Sequence, residues 1–177
     1  PVDPDTGDPD RQAMYEHEGG AVRIRVFDSA FQRDGYRFVG SLDAPHPSAL
    51  MPLVHELGHA LAIAPLVEAS RRYERAFDRY EAAVTSVERE ARVAEVQGAE
   101  ASMQALAGES PVVRAYLRVR GRVEGPTPYG RASDMESFAE AFALFHLDRP
   151  ALERVMPDVA AWFAAGGHVE ALRAPAP

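Results

Sequence analysis

His55-Glu56-Leu57-Gly58-His59 is the stretch whose residue types and spacing could do chemistry. On an α-helix, residues i and i+4 lie ~40° apart on one face, so two imidazoles there can share one metal ion. Zinc suits such a donor pair. Glu56 sits beside the histidines, where its carboxylate can take a proton from an activated water. Val54, Leu57, Gly58, Ala60 and Leu61 carry no charge, as a buried active-site helix requires. The competing reading is a surface helix whose histidine pair binds metal without catalysis.

A catalytic zinc needs a third protein ligand and an open position. No third histidine follows His59 closely, so the ligand has to come from elsewhere, and a glutamate on a second helix is the common solution. Glu136 and Glu140 are the candidates. On a helical wheel they stand together, ~40° apart, on a segment of Met135, Phe138, Phe142 and Phe145 that is otherwise apolar. A buried carboxylate without a partner is expensive. One metal ligand and one partner of a ligand histidine would satisfy both. Two alternatives stay open: Ser133-Asp134-Met135-Glu136 also reads as a capping box, and Glu140 would be solvated if it fell at the helix edge.

Tyr129-Gly130-Arg131-Ala132-Ser133-Asp134-Met135-Glu136-Ser137-Phe138-Ala139-Glu140-Ala141-Phe142 resembles the second signature of the anthrax lethal factor catalytic domain and of the Pro-Pro endopeptidases. These are gluzincins, zinc peptidases with an HExxH helix and a distant glutamate ligand. The likeness covers residues 53–61 and 129–146 and is not visible in 1–50 or 66–122. It implies that His55, His59 and Glu136 hold one zinc per chain, that Glu56 is the general base and that Tyr129 stabilises the oxyanion. It also implies that Glu140 supports a ligand histidine from behind. The expected function is zinc-dependent hydrolysis of a peptide or protein substrate. The alternatives are an inactive gluzincin-like binding module or a secreted toxin or effector protease domain. The resemblance departs in the 76 residues between His59 and Glu136, where charged helices over about 66–120 lengthen the pattern as an insertion.

The elements that must position these residues are mostly helical. The expected fold class is α+β, a zincin-like metallopeptidase fold with a small N-terminal antiparallel sheet and an HExxH active-site helix. Residues 22–27 alternate apolar and basic, as a half-buried strand does, and 36–39 read as a second strand after Asp34-Gly35. A helix runs through 53–62 and breaks or kinks at Pro65. A second covers about 66–96 to Gly98, with an apolar stripe through Tyr73, Phe77, Tyr80, Val84 and Val87. Residues 99–107 form a short helix, and Ser110-Pro111 opens another over 112–119. Glycine and proline over 121–130 predict a loop, free enough to move Tyr129. Ser133 or Asp134 starts the helix to Leu147, and Asp148-Arg149-Pro150 starts a last one, interrupted at Pro157 and ending at Gly166-Gly167. Residues 1–19, rich in Pro, Asp and Gly at their start, read as a disordered linker, 20–173 as the catalytic domain and 174–177 as a tail.

Composition narrows the classes. The 177 residues carry 19 basic and 27 acidic side chains, a formal net charge of −8, which disfavours a nucleic-acid partner. No apolar run approaches the ~18 residues a membrane span needs. Cysteine is absent, excluding disulfides, thiolate metal sites and a cysteine nucleophile. All 19 basic residues are arginine, and neither Lys nor Asn occurs, a bias expected of a GC-rich, bacterial genome. The start at Pro1 is what a fragment or processed form would show. Secretion or attachment at the bacterial cell envelope is the corresponding expectation. Oligomeric state is not legible.

Overall fold

A computed structural model describes residues 13–18, 21–27, 30, 50–107 and 110–173. Among the described residues, two strands, β1 (Ala13–Glu18) and β2 (Ala21–Val26), precede seven helices. These are α1 (Leu50–Glu81), α2 (Ser86–Ala107), α3 (Pro111–Arg120), α4 (Asp134–Leu147), α5 (Arg149–Val155), α6 (Pro157–Ala164) and α7 (Gly167–Arg173). A 3-10 turn, Tyr129–Arg131, leads into α4. The described chain is thus mostly helical with one small antiparallel sheet, as expected.

The core is built round α4. Ser137, Phe138, Ala139, Glu140, Ala141, Ala143 and Leu144 are all buried, so this helix is enclosed on nearly every side, as its apolar composition demands. One neighbour is the first half of α1. Met51, His55, Gly58 and Ala62 are buried there, at spacings of four and three that make one stripe. From the other side come Val112, Val113 and Tyr116 of α3, Leu152 of α5, and Val159 and Phe163 of α6. Tyr116 brings a polar atom with it, and its hydroxyl is satisfied by Ser137 Oγ at 2.7 Å. Trp162 packs against this core and Phe163 lies within it.

Several sequence expectations give way here. Pro65 does not end its helix: α1 continues for 32 residues with Pro65 inside. Proline in a helix interior costs ~3 kcal/mol, but Ala62, Val67 and Ala69 on both sides of it are buried, and that packing outweighs the cost. The break falls instead at 82–85. Thr85 and Glu88 form a reciprocal cap, with Glu88 N donating to Thr85 Oγ1 at 3.2 Å and Thr85 N to Glu88 Oε2 at 3.0 Å. This T-x-x-E box was a visible start signal. Val84 and Val87 therefore flank a turn and are exposed, not part of a packed stripe. Gly98 stops nothing; α2 runs through it and merges with the expected short helix 99–107. A helical glycine costs only ~1 kcal/mol.

The charged region divides. The second half of α1 and α2 form a hairpin studded with exposed ion pairs such as Arg72–Glu68 and Arg79–Glu95. α3 belongs to the core, so the projecting part ends before residue 111 rather than at 120. Gly166, at φ +78°, closes α6, and Gly167 begins a further helix.

The linker expected over 1–19 does not hold for residues 13–18, which are β1, paired from Ala13↔Val26 to Glu18↔Ala21. The strands are separated in sequence by Gly19-Gly20, a dipeptide that signals a two-residue hairpin. The strand expected over 36–39 lies outside the described residues, as do 1–12 and the tail. By length and composition alone, α1 is apolar enough to cross a membrane, against the expectation that no apolar run is long enough. Its first half packs on α4 and carries the polar groups described next.

Candidate metal centre

α1 and α4 cross where both have least bulk. A Cβ built on Gly58 would lie 2.9 Å from Ala139 Cα. That close approach sets the faces bearing His55 and His59 against the first turn of α4. Ser133 caps that turn, its hydroxyl accepting from Glu136 N at 3.1 Å. The Glu136 carboxylate does not return the bond. It turns to the histidines, which decides between the capping box and the cluster.

His55, His59 and Glu136 lie close enough to bind a metal ion. His55 Nε2 is 2.9 Å from His59 Nε2, and Glu136 Oε2 is 3.0 Å from His55 Nε2 and 3.3 Å from His59 Nε2. Ligands at ~2.0–2.1 Å from a tetrahedral zinc stand ~3.3–3.4 Å apart, so the triangle needs to open by only a few tenths of an ångström. Glu136 Oε2 is buried and completes no hydrogen bond of good geometry. Two imidazole nitrogens and a carboxylate oxygen crowding one point, without a well-directed hydrogen bond to that oxygen, is an arrangement that a cation resolves. The residues present fit a metal.

Behind this triangle, Glu140 is 1% exposed. Its Oε1 accepts from His55 Nδ1 at 2.8 Å and its Oε2 from Thr127 Oγ1 at 2.7 Å. A carboxylate on the far nitrogen of a ligand histidine fixes the ring and its tautomer. Glu140 is therefore enclosed, not solvated at an edge. Thr127 was not singled out from the sequence; its place two residues before Tyr129 was the only signal.

The electrostatics follow from burial and from these carboxylates. Burial opposes protonation of His55, but Glu136 and Glu140 outweigh it and hold the ring's pKa up, from 6.5 to about 9. Burial likewise works against the charge on Glu136, yet His55 and His59 bring its pKa down to about 2. The two shifts describe one shared interaction. Glu56 is pushed above the ordinary carboxylate range by burial, against the pull of His59, His55 and the backbone N–H of Tyr15 in β1. Tyr129 is raised by burial and by the carboxylates of Glu136, Glu140 and Glu56. Its ring centroid is 5.8 Å from that of His55, and its side chain remains half exposed.

His146, His168 and Arg120 lie apart from this centre. His146 packs on Phe142 and Phe145, and His168 on Phe163. Arg120 pairs with Asp134 at 2.9 Å. Two cavities, of about 480 and 370 Å³, run along α1 and α2 away from the histidines. Of the arginines that line them, Arg72, Arg75 and Arg79 are matched by Glu68 and Glu95, and Arg173 lines the larger cavity at the end of α7. Comparison with family models, curated proteins and solved structures gives no significant match to this chain.

Proposed function

We propose that this chain is a zinc-dependent endopeptidase of gluzincin type, with a zincin-like fold and a single metal centre at His55, His59 and Glu136. The observation that carries the reading is the convergence of two Nε2 atoms and one buried carboxylate oxygen on one point, beside a raised glutamate. A bound zinc would act there as a Lewis acid and make water acidic enough to be a nucleophile at neutral pH. Glu56 is the proton carrier, taking a proton from the attacking water and delivering it to the leaving amine. A carboxyl raised towards working pH suits both transfers. Tyr129 keeps its phenolic proton because burial and three carboxylates raise it, so it can donate a hydrogen bond to the developing oxyanion. Glu140 keeps His55 turned so that Nε2 faces the centre. The proposed setting is a secreted or envelope-attached bacterial enzyme, and an extended peptide is the proposed substrate.

The test is digestion of a peptide library by the wild-type chain and by Glu56→Gln, each with and without a chelator. Chelator-sensitive cleavage by the wild type, absent in a Glu56→Gln variant that still holds zinc, supports the reading. A zinc-loaded wild type that cuts nothing favours a binding module instead.

A further inference from the structure

We propose that Thr127 is a positioning residue of this centre, coupling the turn that carries Tyr129 to the ring of His55 through Glu140. The inference rests on the metallopeptidase reading above and deepens it. Thr127 is 3% exposed, and its hydroxyl has two partners of opposite kind. The Gly130 N–H can only donate, and it does so to Thr127 Oγ1 at 2.9 Å. The Glu140 carboxylate accepts, at 2.7 Å. The hydroxyl proton therefore has one place to go, and the chain runs in one direction from Gly130 N–H through Thr127 O–H to Glu140. The other oxygen of Glu140 takes the bond from His55 Nδ1 at 2.8 Å. Four groups, one of them 85 residues away in sequence, thus form one series that ends on a metal-binding ring.

The surroundings leave little room for another arrangement. A Cβ on Gly130 would lie 3.3 Å from Thr127 Oγ1 and 3.4 Å from Glu140 Cβ, and one on Gly125 would lie 2.6 Å from Gly130 O. Thr127 also stands between Pro126 and Pro128, whose rings narrow the backbone choices at 126–128. The loop that glycine content marks as free to move is tied down at the point from which Tyr129 projects. Without the hydroxyl, Glu140 Oε2 and Gly130 N–H lose their partner in a buried place, and the cost of that falls on the carboxylate that orients His55.

Zinc affinity of the full chain, measured by competition with a chromogenic chelator, tests this without requiring a substrate. Thr127→Val keeps the shape and removes the hydroxyl, and should weaken zinc binding ten- to a hundredfold, on the order found when a metal ligand's supporting partner is lost. Thr127→Ser restores the hydroxyl and should return affinity to within a few fold of wild type. In a Glu140→Gln background the Thr127→Val change should cost much less than in the wild type, because the two act in series. If Thr127→Val does not fold, Thr127→Ala takes its place in the same comparison. Wild-type affinity in the Val or Ala variant overturns the proposal, as does an equal loss in both backgrounds. Glu136→Gln, measured alongside, should lose zinc whatever Thr127 does. A folded wild type that takes up no zinc overturns the metal centre itself, which is a separate failure.

Discussion

Gly58 and Ala139 touch through their backbones, a Cβ at residue 58 standing only 2.9 Å from Ala139 Cα. That contact lets the HExxH helix settle on α4 at the depth where Glu136 and Glu140 reach the histidines. Gly58→Ala must push the helices apart, and overpacking of this kind costs ~1–3 kcal/mol, offset in part by the ~1 kcal/mol gain in helix propensity. Zinc affinity should fall with it, because the ligands lie on opposite sides of the crossing. Gly98→Ala is the matched control: nothing lies within 4 Å of its Cβ, and it should stabilise by ~0.4–1 kcal/mol. Thermal unfolding of both variants reads the opposite signs. A stabilising Gly58→Ala with unchanged zinc binding would contradict the crossing argument.

Zinc and protons should compete for His55. Its pKa near 9 in the metal-free chain means that the ring is charged at neutral pH and must lose a proton to bind. Apparent zinc affinity should therefore rise with pH until about pH 9, and binding at pH 7 should release about one proton per zinc. Calorimetry in buffers of different ionisation enthalpy measures that number. The metal-free protein carries the opposite dependence. The contribution of a raised histidine is complete below its ordinary 6.5 and is lost as pH rises through about 9. The Glu136 side of the same pair is present above 4.5 and is lost as pH falls towards about 2.

Tyr129→Phe should lower kcat ten- to a thousandfold with KM little changed, the signature of a donor used in the transition state. Zinc content should stay at the wild-type level, because the proposed mechanism gives the phenol a hydrogen bond to the oxyanion and no bond to the metal. Single-turnover cleavage of a peptide found in the library digest provides the measurement. An unchanged rate would remove Tyr129 from the mechanism.

The site was legible in the sequence where chemistry leaves a local pattern. The spacing of His55 and His59 needs only a helix, and two carboxylates on the apolar segment 134–147 needed partners wherever the fold placed them. Ser133 could be read as a cap, and the structure shows it as one. Thr127 could not be found this way, since a threonine between prolines signals nothing until Glu140 is folded over it. Pro65 and Gly98 misled for the reverse reason: their local costs, ~3 and ~1 kcal/mol, are real, and burial along α1 and docking of α2 on it override them. Residues 13–18 were hidden by the Pro- and Asp-rich segment before them, although Gly19-Gly20 marked the hairpin.

The claim on which the rest depends is that Glu136 completes a metal centre with His55 and His59. Zinc titration of the metal-free wild type, Glu136→Gln and Glu140→Gln, followed by elemental analysis after dialysis, tests it most directly. The account predicts one zinc per wild-type chain and a loss by a large factor in Glu136→Gln, because a neutral amide is a poor zinc ligand. Glu140→Gln should lose only ten- to a hundredfold. Metal-free Glu136→Gln should remain folded, since its backbone N–H, not its carboxylate, makes the bond to Ser133. A Glu136→Gln variant that binds zinc as tightly as the wild type, or a folded wild type that binds none, would contradict the account.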